Sequence, residues 1–280
     1  MMMHVTILGA GKVGTALAKR IQRSGGLVTL RAGRKPLPQK PFDTDMLILA
    51  VRDRFLHPMA TEIAERKLLP KRAVVVHVAG SLGAEVLAPL RAVCAGVAQM
   101  HPMISFAHAG KPPTLDRGNL RVSGDPAAVK RATLLGKKYL GMTPRPLPGV
   151  DPVGYHGTAA FVANGGAALV ALGAKLLEAA GVPPREAPRM LGPLLRSVAE
   201  NVETLGFPAA LTGPVRRGES ASVERHGEIL SKALPEVAPL YWALVGAQIP
   251  ISAALGEAAP VELEKIQALV DAHAAKAAKS

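Results

Sequence analysis

Three groups of residues in this 280-residue chain have types and spacings that could do chemistry. The first is Gly9-Ala10-Gly11-Lys12-Val13-Gly14, a GxGxxG motif directly after the apolar run His4–Leu8 and at the start of the helix-like segment Val13–Arg23. In that setting Gly9 permits a tight turn, Gly11 lets a pyrophosphate approach the backbone, and Gly14 lets the helix pack on the strand. The free N–H groups of the helix N-terminus, from Lys12 and Val13 onward, then face the phosphates. The second group closes the next apolar run, as Leu30-Arg31-Ala32-Gly33-Arg34-Lys35, and no acidic residue precedes Asp43. A site for NAD usually places Asp or Glu here for the ribose diol, whereas a 2′-phosphate is repelled by a carboxylate and attracted by arginine. The expected cofactor is therefore NADP(H), with Arg34 on the phosphate and Arg31 and Lys35 beside it.

The third group is scattered. Val51-Arg52-Asp53 and Ala79-Gly80-Ser81 follow the third and fourth apolar runs, where loops line the cofactor crevice of an open sheet. Val51 and Gly80 are expected against the cofactor. Ser81 either binds substrate or caps a following helix. His101-Pro102-Met103 ends the fifth run, where a histidine could protonate a reduced carbonyl, hold a carboxylate or simply be tied into the proline turn. His156 and Asn164 lie eight residues apart, about 80° around a helix, so both can look toward one cleft. Asn164 in an Ala/Gly/Leu helix implies a bonding partner, substrate or another helix, and Tyr155 is expected to point elsewhere. In Ala210–His226, Thr212 and Arg217 could grip an anionic substrate. The plainer alternative is a loop leading into a helix capped by Ser220 or Ser222.

The elements that must position these groups divide the chain in two. His4–Leu8, Leu27–Arg31, Asp45–Val51, Ala73–Val78, Gly96–Met100 and Leu120–Ser123 read as strands, several of them continuously apolar. Such strands are buried on both faces, which predicts a doubly wound parallel α/β sheet of the Rossmann kind. Four prolines in Gly141–Pro152 interrupt the pattern. The expectation is a cofactor domain over 1–148 and an all-helical substrate and dimerisation domain over 149–280. Its helices are expected at Tyr155–Ala180, Glu186–Leu205, Val223–Leu234, Val237–Gly246 and Val261–Ala278.

Composition narrows the partners. The single cysteine, Cys94, excludes an internal disulfide framework and a four-cysteine zinc site, and no metal site is expected. A net charge of +13 attracts polyanions in general, but helix-turn-helix, zinc-finger and aromatic-stacking patterns are missing, so nucleic acid is not the expected partner. Thr158–Ala174 is free of charge, yet it is rich in Ala and Gly, contains Asn164 and runs into Lys175, which favours a helix covered by protein over a membrane span. With no secretory pattern at Met1–Thr6, a cytoplasmic location is expected. Gly157, Gly165, Gly166 and Gly173 in one helix suggest close helix approach and a homodimer.

Three motifs together, HPMISF at His101–Phe106, GYHGTAAFVAN at Gly154–Asn164 and LTGPVRRGESASVERH at Leu211–His226, carry a family resemblance. The chain resembles bacterial proteins that join an NADP-type Rossmann half to an all-helical domain of unknown function. By that likeness His101, His156, Asn164, Thr212, Pro214, Arg217, Gly218 and His226 match the pattern, while Glu219 stands where Asp is more usual. The wider superfamily includes ketopantoate reductases, pyrroline-5-carboxylate reductases and 6-phosphogluconate-type dehydrogenases. Several members place a lysine four residues before the helix asparagine, where this chain has Ala160, so His156 is the expected substitute. The resemblance implies an NADPH-dependent reductase of a small carboxylate-bearing ketone, similar to ketopantoate reductase. Imine reduction, a prephenate- or arogenate-type dehydrogenase suggested by the His-Pro-Met triplet, and NADPH binding without turnover are the alternatives. Ser81, His101, His156, Asn164 and Thr212 are expected to converge on one pocket.

Overall fold

The computed structural model describes residues 3–277. The chain forms two compact units, Met1–Ala163 and Asn164–Ser280.

The first unit is built on a seven-stranded sheet. Its strands are β1 (His4–Leu8), β2 (Leu27–Arg31), β3 (Met46–Leu49), β4 (Val74–His77), β5 (Gly96–Pro102), β6 (Asn119–Gly124) and β7 (Thr143–Pro146), in the spatial order β2-β1-β3-β4-β5-β6-β7. Strands β1 to β5 pair in parallel. Alternate side chains fill two cores. Met46, Ile48, Val74, Val76, Ala98 and Met100 pack with α1 (Lys12–Arg23) and α3 (Pro126–Leu135) on one face. Leu47, Leu49, Val75 and Val97 pack with α2 (Leu56–Glu65) and the 3-10 segment Ala84–Leu90 on the other. Burial on both faces is why β3 and β4 read as unbroken apolar runs.

Two details differ from the sequence expectation. Strand β6 runs antiparallel to β5, because residues 103–118 contain no helix to carry the chain back across the sheet. A seventh strand, TPRP, lies inside the proline-rich segment Gly141–Pro152, where the sequence pattern shows an interruption between domains and no strand. An edge strand tolerates proline because its outer N–H groups need no ladder partner. Helix α3 and the π-helical turn Gly136–Leu140 supply the crossover that makes β6 and β7 parallel.

Helix α4 (Pro152–Ala179) crosses from the first unit into the second. The second unit continues with α5 (Ala187–Leu205), α6 (Ser220–Ala233), α7 (Ala238–Leu255) and α8 (Pro260–Ala277); the expected end of the last helix, Ala278, lies outside the described residues. Its core is Val215, Val223, Trp242, Val245, Leu263 and Ile266. Gly227 admits the Trp242 ring, since a Cβ there would sit 2.2 Å from Cζ2. Helix α7 passes the expected stop at Gly246 and continues through Pro250 to Gly256, which closes it in the left-handed conformation at φ +71°. The Ser252 hydroxyl, donating to the Val215 carbonyl at 3.0 Å, secures the added turns.

Helices α4 and α5 have little cover in the single chain. None of the α4 residues is buried, and Phe161 is 81% exposed. Along α5, Met190, Leu194, Val198, Val202 and Leu205 form an exposed stripe at helical spacing. By length and composition Pro152–Ala179 and Pro235–Leu255 are each apolar enough to cross a membrane.

Candidate active site

The glycine-rich turn joins β1 to α1. Gly9 adopts φ +121°, and a Cβ there would lie 2.2 Å from the Ala50 carbonyl oxygen. A Cβ at Gly14 would lie 1.9 Å from the Gly9 carbonyl oxygen, so this glycine sets how closely α1 meets the turn. Gly11 faces open space. It is the N-cap of α1, and the first turn carries no acidic side chain, which leaves the amide dipoles free for an anion. Gly9, Ala10, Gly11, Gly33, Arg34 and Val51 line a cavity of 670 Å³, with Arg52, Phe55 and Met59. Of the other residues expected here, Arg31 donates to the Pro36 carbonyl at 3.3 Å, and Lys12 and Lys35 are exposed beside the turn. Arg52 is a second guanidinium in the cavity; its place directly after the β3 run was the available sequence signal.

A second constellation lies on the sheet face that carries Leu47 and Val75. His77 pairs in register with Gln99, and His101 with Arg121, so the four side chains share one face near the C-terminal ends of β4 and β5. The first turns of α4 pack over them. The His101 and His156 rings meet edge to face with centroids 5.4 Å apart, and the Tyr155 ring stands 5.8 Å from His101. Tyr155 therefore faces the same histidine as His156, contrary to expectation, because His101 sits where both neighbours on the helix can reach it. Gly80 makes room for this, since a Cβ there would lie 2.2 Å from His156 Nδ1 and 2.8 Å from His101 Nε2.

Burial, reinforced by His156, Arg121 and His77, pushes the His101 imidazole down to about 4. Burial likewise pushes His77 down to about 4, against the opposing pull of its bond to the Gly83 carbonyl and of Asp53. Both rings are neutral at pH 7. The Nδ1 atoms of His77, His101 and His156 are buried without a hydrogen-bond partner. Burial raises the Tyr155 phenol, with Arg121 opposing. Gln99 and Arg121 had a sequence signal in hindsight, as polar residues within otherwise apolar strands.

Ser81 neither caps a helix nor stands free: its hydroxyl donates to Asp53 Oδ2 at 3.1 Å and links the β3 and β4 loops. Asn164 is exposed on α4. In the second unit Thr212 is exposed, and Arg217 makes a two-pronged pair with Glu219 at 2.6 and 2.9 Å. Arg216, not singled out from sequence, bonds Glu257 and the carbonyls of Ala209 and Leu211, which fixes the loop that carries Thr212. Ser220 lies inside α6 and donates to Glu262 at 2.7 Å, so it is not the expected cap. Among the described residues no cluster of three or more His, Cys, Asp or Glu side chains could hold a metal ion.

Comparison with known proteins places this architecture. A Rossmann-like domain model matches residues 31–102, and the model of a domain of unknown function, DUF2520, matches residues 120–248. None of the curated proteins matches the sequence. Among solved structures, a Thermotoga maritima protein (TM1727) is 20% identical, covers 89% of this chain and 98% of its own, and superposes with a TM-score of 0.65. A Bacteroides fragilis protein provisionally assigned as an NADP oxidoreductase is 19% identical over 88% of this chain and 98% of its own, with a TM-score of 0.67. An imine reductase from Pseudomonas sp. is 16% identical over 95% of this chain and 100% of its own, with a TM-score of 0.54. The chain thus joins a segment that matches a Rossmann-like domain model to one that matches DUF2520, in a fold it shares with these structures.

Proposed function

We propose that this protein is an NADPH-dependent oxidoreductase that reduces a C=O or C=N bond in a small anionic substrate. The observation that carries the reading is the open N-terminus of α1 at Gly11, facing a cavity that two guanidinium groups, Arg34 and Arg52, also line. Free amides at a helix N-terminus suit the pyrophosphate, and arginine in place of a carboxylate at the end of β2 suits the 2′-phosphate. The domain organisation that goes with this reading is a cofactor domain over 1–148 and a substrate and dimerisation domain over 149–280. The cofactor supplies the hydride. Gly80, Val51 and Ser81 stand on the loops that follow β3 and β4, the side of the sheet where the nicotinamide end belongs.

Delivery of the proton falls to His156. His101 is held neutral by burial and by the cationic groups around it, so it is fit to donate a hydrogen bond or accept a proton but not to act as a ready acid. The groups that face His101 are cationic or neutral, which supports a substrate bearing a carboxylate. Asn164 and Thr212 are the further candidates for orienting it, and Arg217 is a weaker one while Glu219 holds it. A ketopantoate-like keto acid is the leading substrate class. Imine reduction is the second, favoured by the fold likeness to an imine reductase.

The functional unit we propose is a cytoplasmic homodimer in which α4 and α5 cover one another's apolar faces across two copies. The experiment that tests the catalytic reading is NADPH oxidation against a panel of 2-keto acids and cyclic imines. Turnover of a keto acid supports the first substrate class, and turnover of imines alone the second. NADPH binding with no turnover of either panel would overturn the enzymatic reading.

A further inference from the structure

Arg121 is a cation sealed inside the first unit without a carboxylate. It is 3% exposed, and its guanidinium donates through one amino group to Gln99 Oε1 and through the other to the Val150 carbonyl at 2.6 Å. The same guanidinium lies over the Tyr155 ring, 5.2 Å from its centroid. Gln99 passes the connection on, since its amide nitrogen donates to the carbonyls of Ala79 at 2.8 Å and Gly80 at 3.0 Å. One side chain on β6 thus ties together β5, the loop that carries Gly80, and the chain just before and within the first turn of α4. Those are the pieces that bring His101, Gly80 and His156 into contact.

A buried charge of this kind is expensive. An ion without a counter-charge in the interior costs several kcal/mol, and among the described residues Arg121 Nε has no hydrogen-bond partner. A methionine or leucine at this position would avoid that cost. The retained charge and planar fork therefore need a role that apolar packing could not supply.

We propose that Arg121 is the positioning residue of the histidine site: its fork clamps Val150 and Gln99 so that the first turn of α4 holds His156 against Gly80 and His101. Its charge has a second effect. The titratable groups that face His101 are His77 of β4, His156 and Tyr155 of α4, and Arg121 of β6. Among them only Arg121 carries a permanent charge, so it biases His101 toward the neutral form whatever the others do. Arg121 holds these residues in the unliganded chain, whatever cofactor or substrate the site takes.

The test uses the full-length protein without cofactor, as Arg121→Met and Arg121→Lys, with two readouts. Nuclear magnetic resonance follows the ring C–H signals of His101 during acid titration, and hydrogen exchange follows the backbone amides of 150–156. Arg121→Met removes both clamp and charge: the His101 titration moves up from about 4 toward its ordinary value, and the amides exchange at least ~10-fold faster. Arg121→Lys keeps the charge but cannot bridge both partners: exchange accelerates while the titration stays low. If circular dichroism shows that the methionine variant is unfolded, the lysine variant carries the test through its exchange rates. Unchanged exchange at 150–156 in a folded variant, or an unmoved His101 titration in folded Arg121→Met, would overturn the assignment.

Discussion

Glycine decides how closely the reactive side chains approach. At Gly80 a single methyl group would occupy the place of the His156 ring nitrogen, 2.2 Å away, while the backbone there needs no left-handed conformation. Gly80→Ala should therefore fold and displace His156 from His101. The expected result is a loss of turnover of about 10²-fold on whichever substrate the panel identifies, as for an angstrom-scale misplacement. The melting temperature should stay within about 4 °C, the shift that roughly 1 kcal/mol produces in a chain of this size. Kinetics beside a thermal melt check both; unchanged turnover would remove His156 from the reaction. Some of this residue-scale detail was legible beforehand. The glycines of the first turn could be assigned separate duties because a strand preceded them and a helix followed. The roles of Arg121 and Gln99 depend on strand pairing, and the direction of Tyr155 depends on how α4 packs over β5. His101 faces Arg121 only through the antiparallel register of β5 and β6, which spacing along the chain does not encode.

The elements were easiest to read where burial is one-dimensional. Strands β3 and β4 are apolar at nearly every position because both faces are covered, and they announce themselves. Strand β7 did not, since an edge strand can be half proline and look like a linker. Helix α7 outruns its expected end because Gly246 and Pro250 resemble stop signals, whereas the anchoring of Ser252 on Val215 carries the helix on. Helices α4 and α5 pose the reverse problem: both are apolar, and neither is covered within one chain. On α5, Leu191 and Leu195 reach toward Gly173 and Gly166 of α4, while Leu194 and Val198 remain 58% and 45% exposed. An exposed apolar stripe of this extent calls for a partner. Covering it with a second copy predicts a dimer at micromolar concentration by light scattering. Leu194→Glu combined with Val198→Glu should shift the mass toward monomer with the helical circular dichroism retained. A monomeric unmutated protein, or one that sediments with lipid vesicles instead of dimerising, would contradict that arrangement.

At the scale of the whole molecule, charge and fold agree. The chain carries +13, and all eight of its first charged side chains, Lys12 to Lys40, are basic. Of these, Lys12 stands at the open N-terminus of α1 and Arg34 lines the cavity beside it, while Arg20 and Arg23 lie in the last turn of the helix. A field of that sign raises the encounter rate of a multiply charged nucleotide and favours the one with the extra phosphate. The order of an α/β half followed by an all-α half was legible from where the strand-like runs stop. The choice of substrate was not, because it rests on a few side chains whose distances the chain order does not fix.

Selection of the 2′-phosphate by Arg34 and Arg52 in the cavity beside Gly11 is read from a cofactor titration. Nucleotide fluorescence is followed as the unmutated protein and Arg34→Ala are titrated with NADPH and with NADH. The unmutated protein should bind NADPH at least ~10-fold more tightly, a difference of about 1.4 kcal/mol, and Arg34→Ala should weaken NADPH while leaving NADH nearly unchanged. Equal affinity of the unmutated protein for the two nucleotides, or binding of neither, would show that this cavity does not select NADPH.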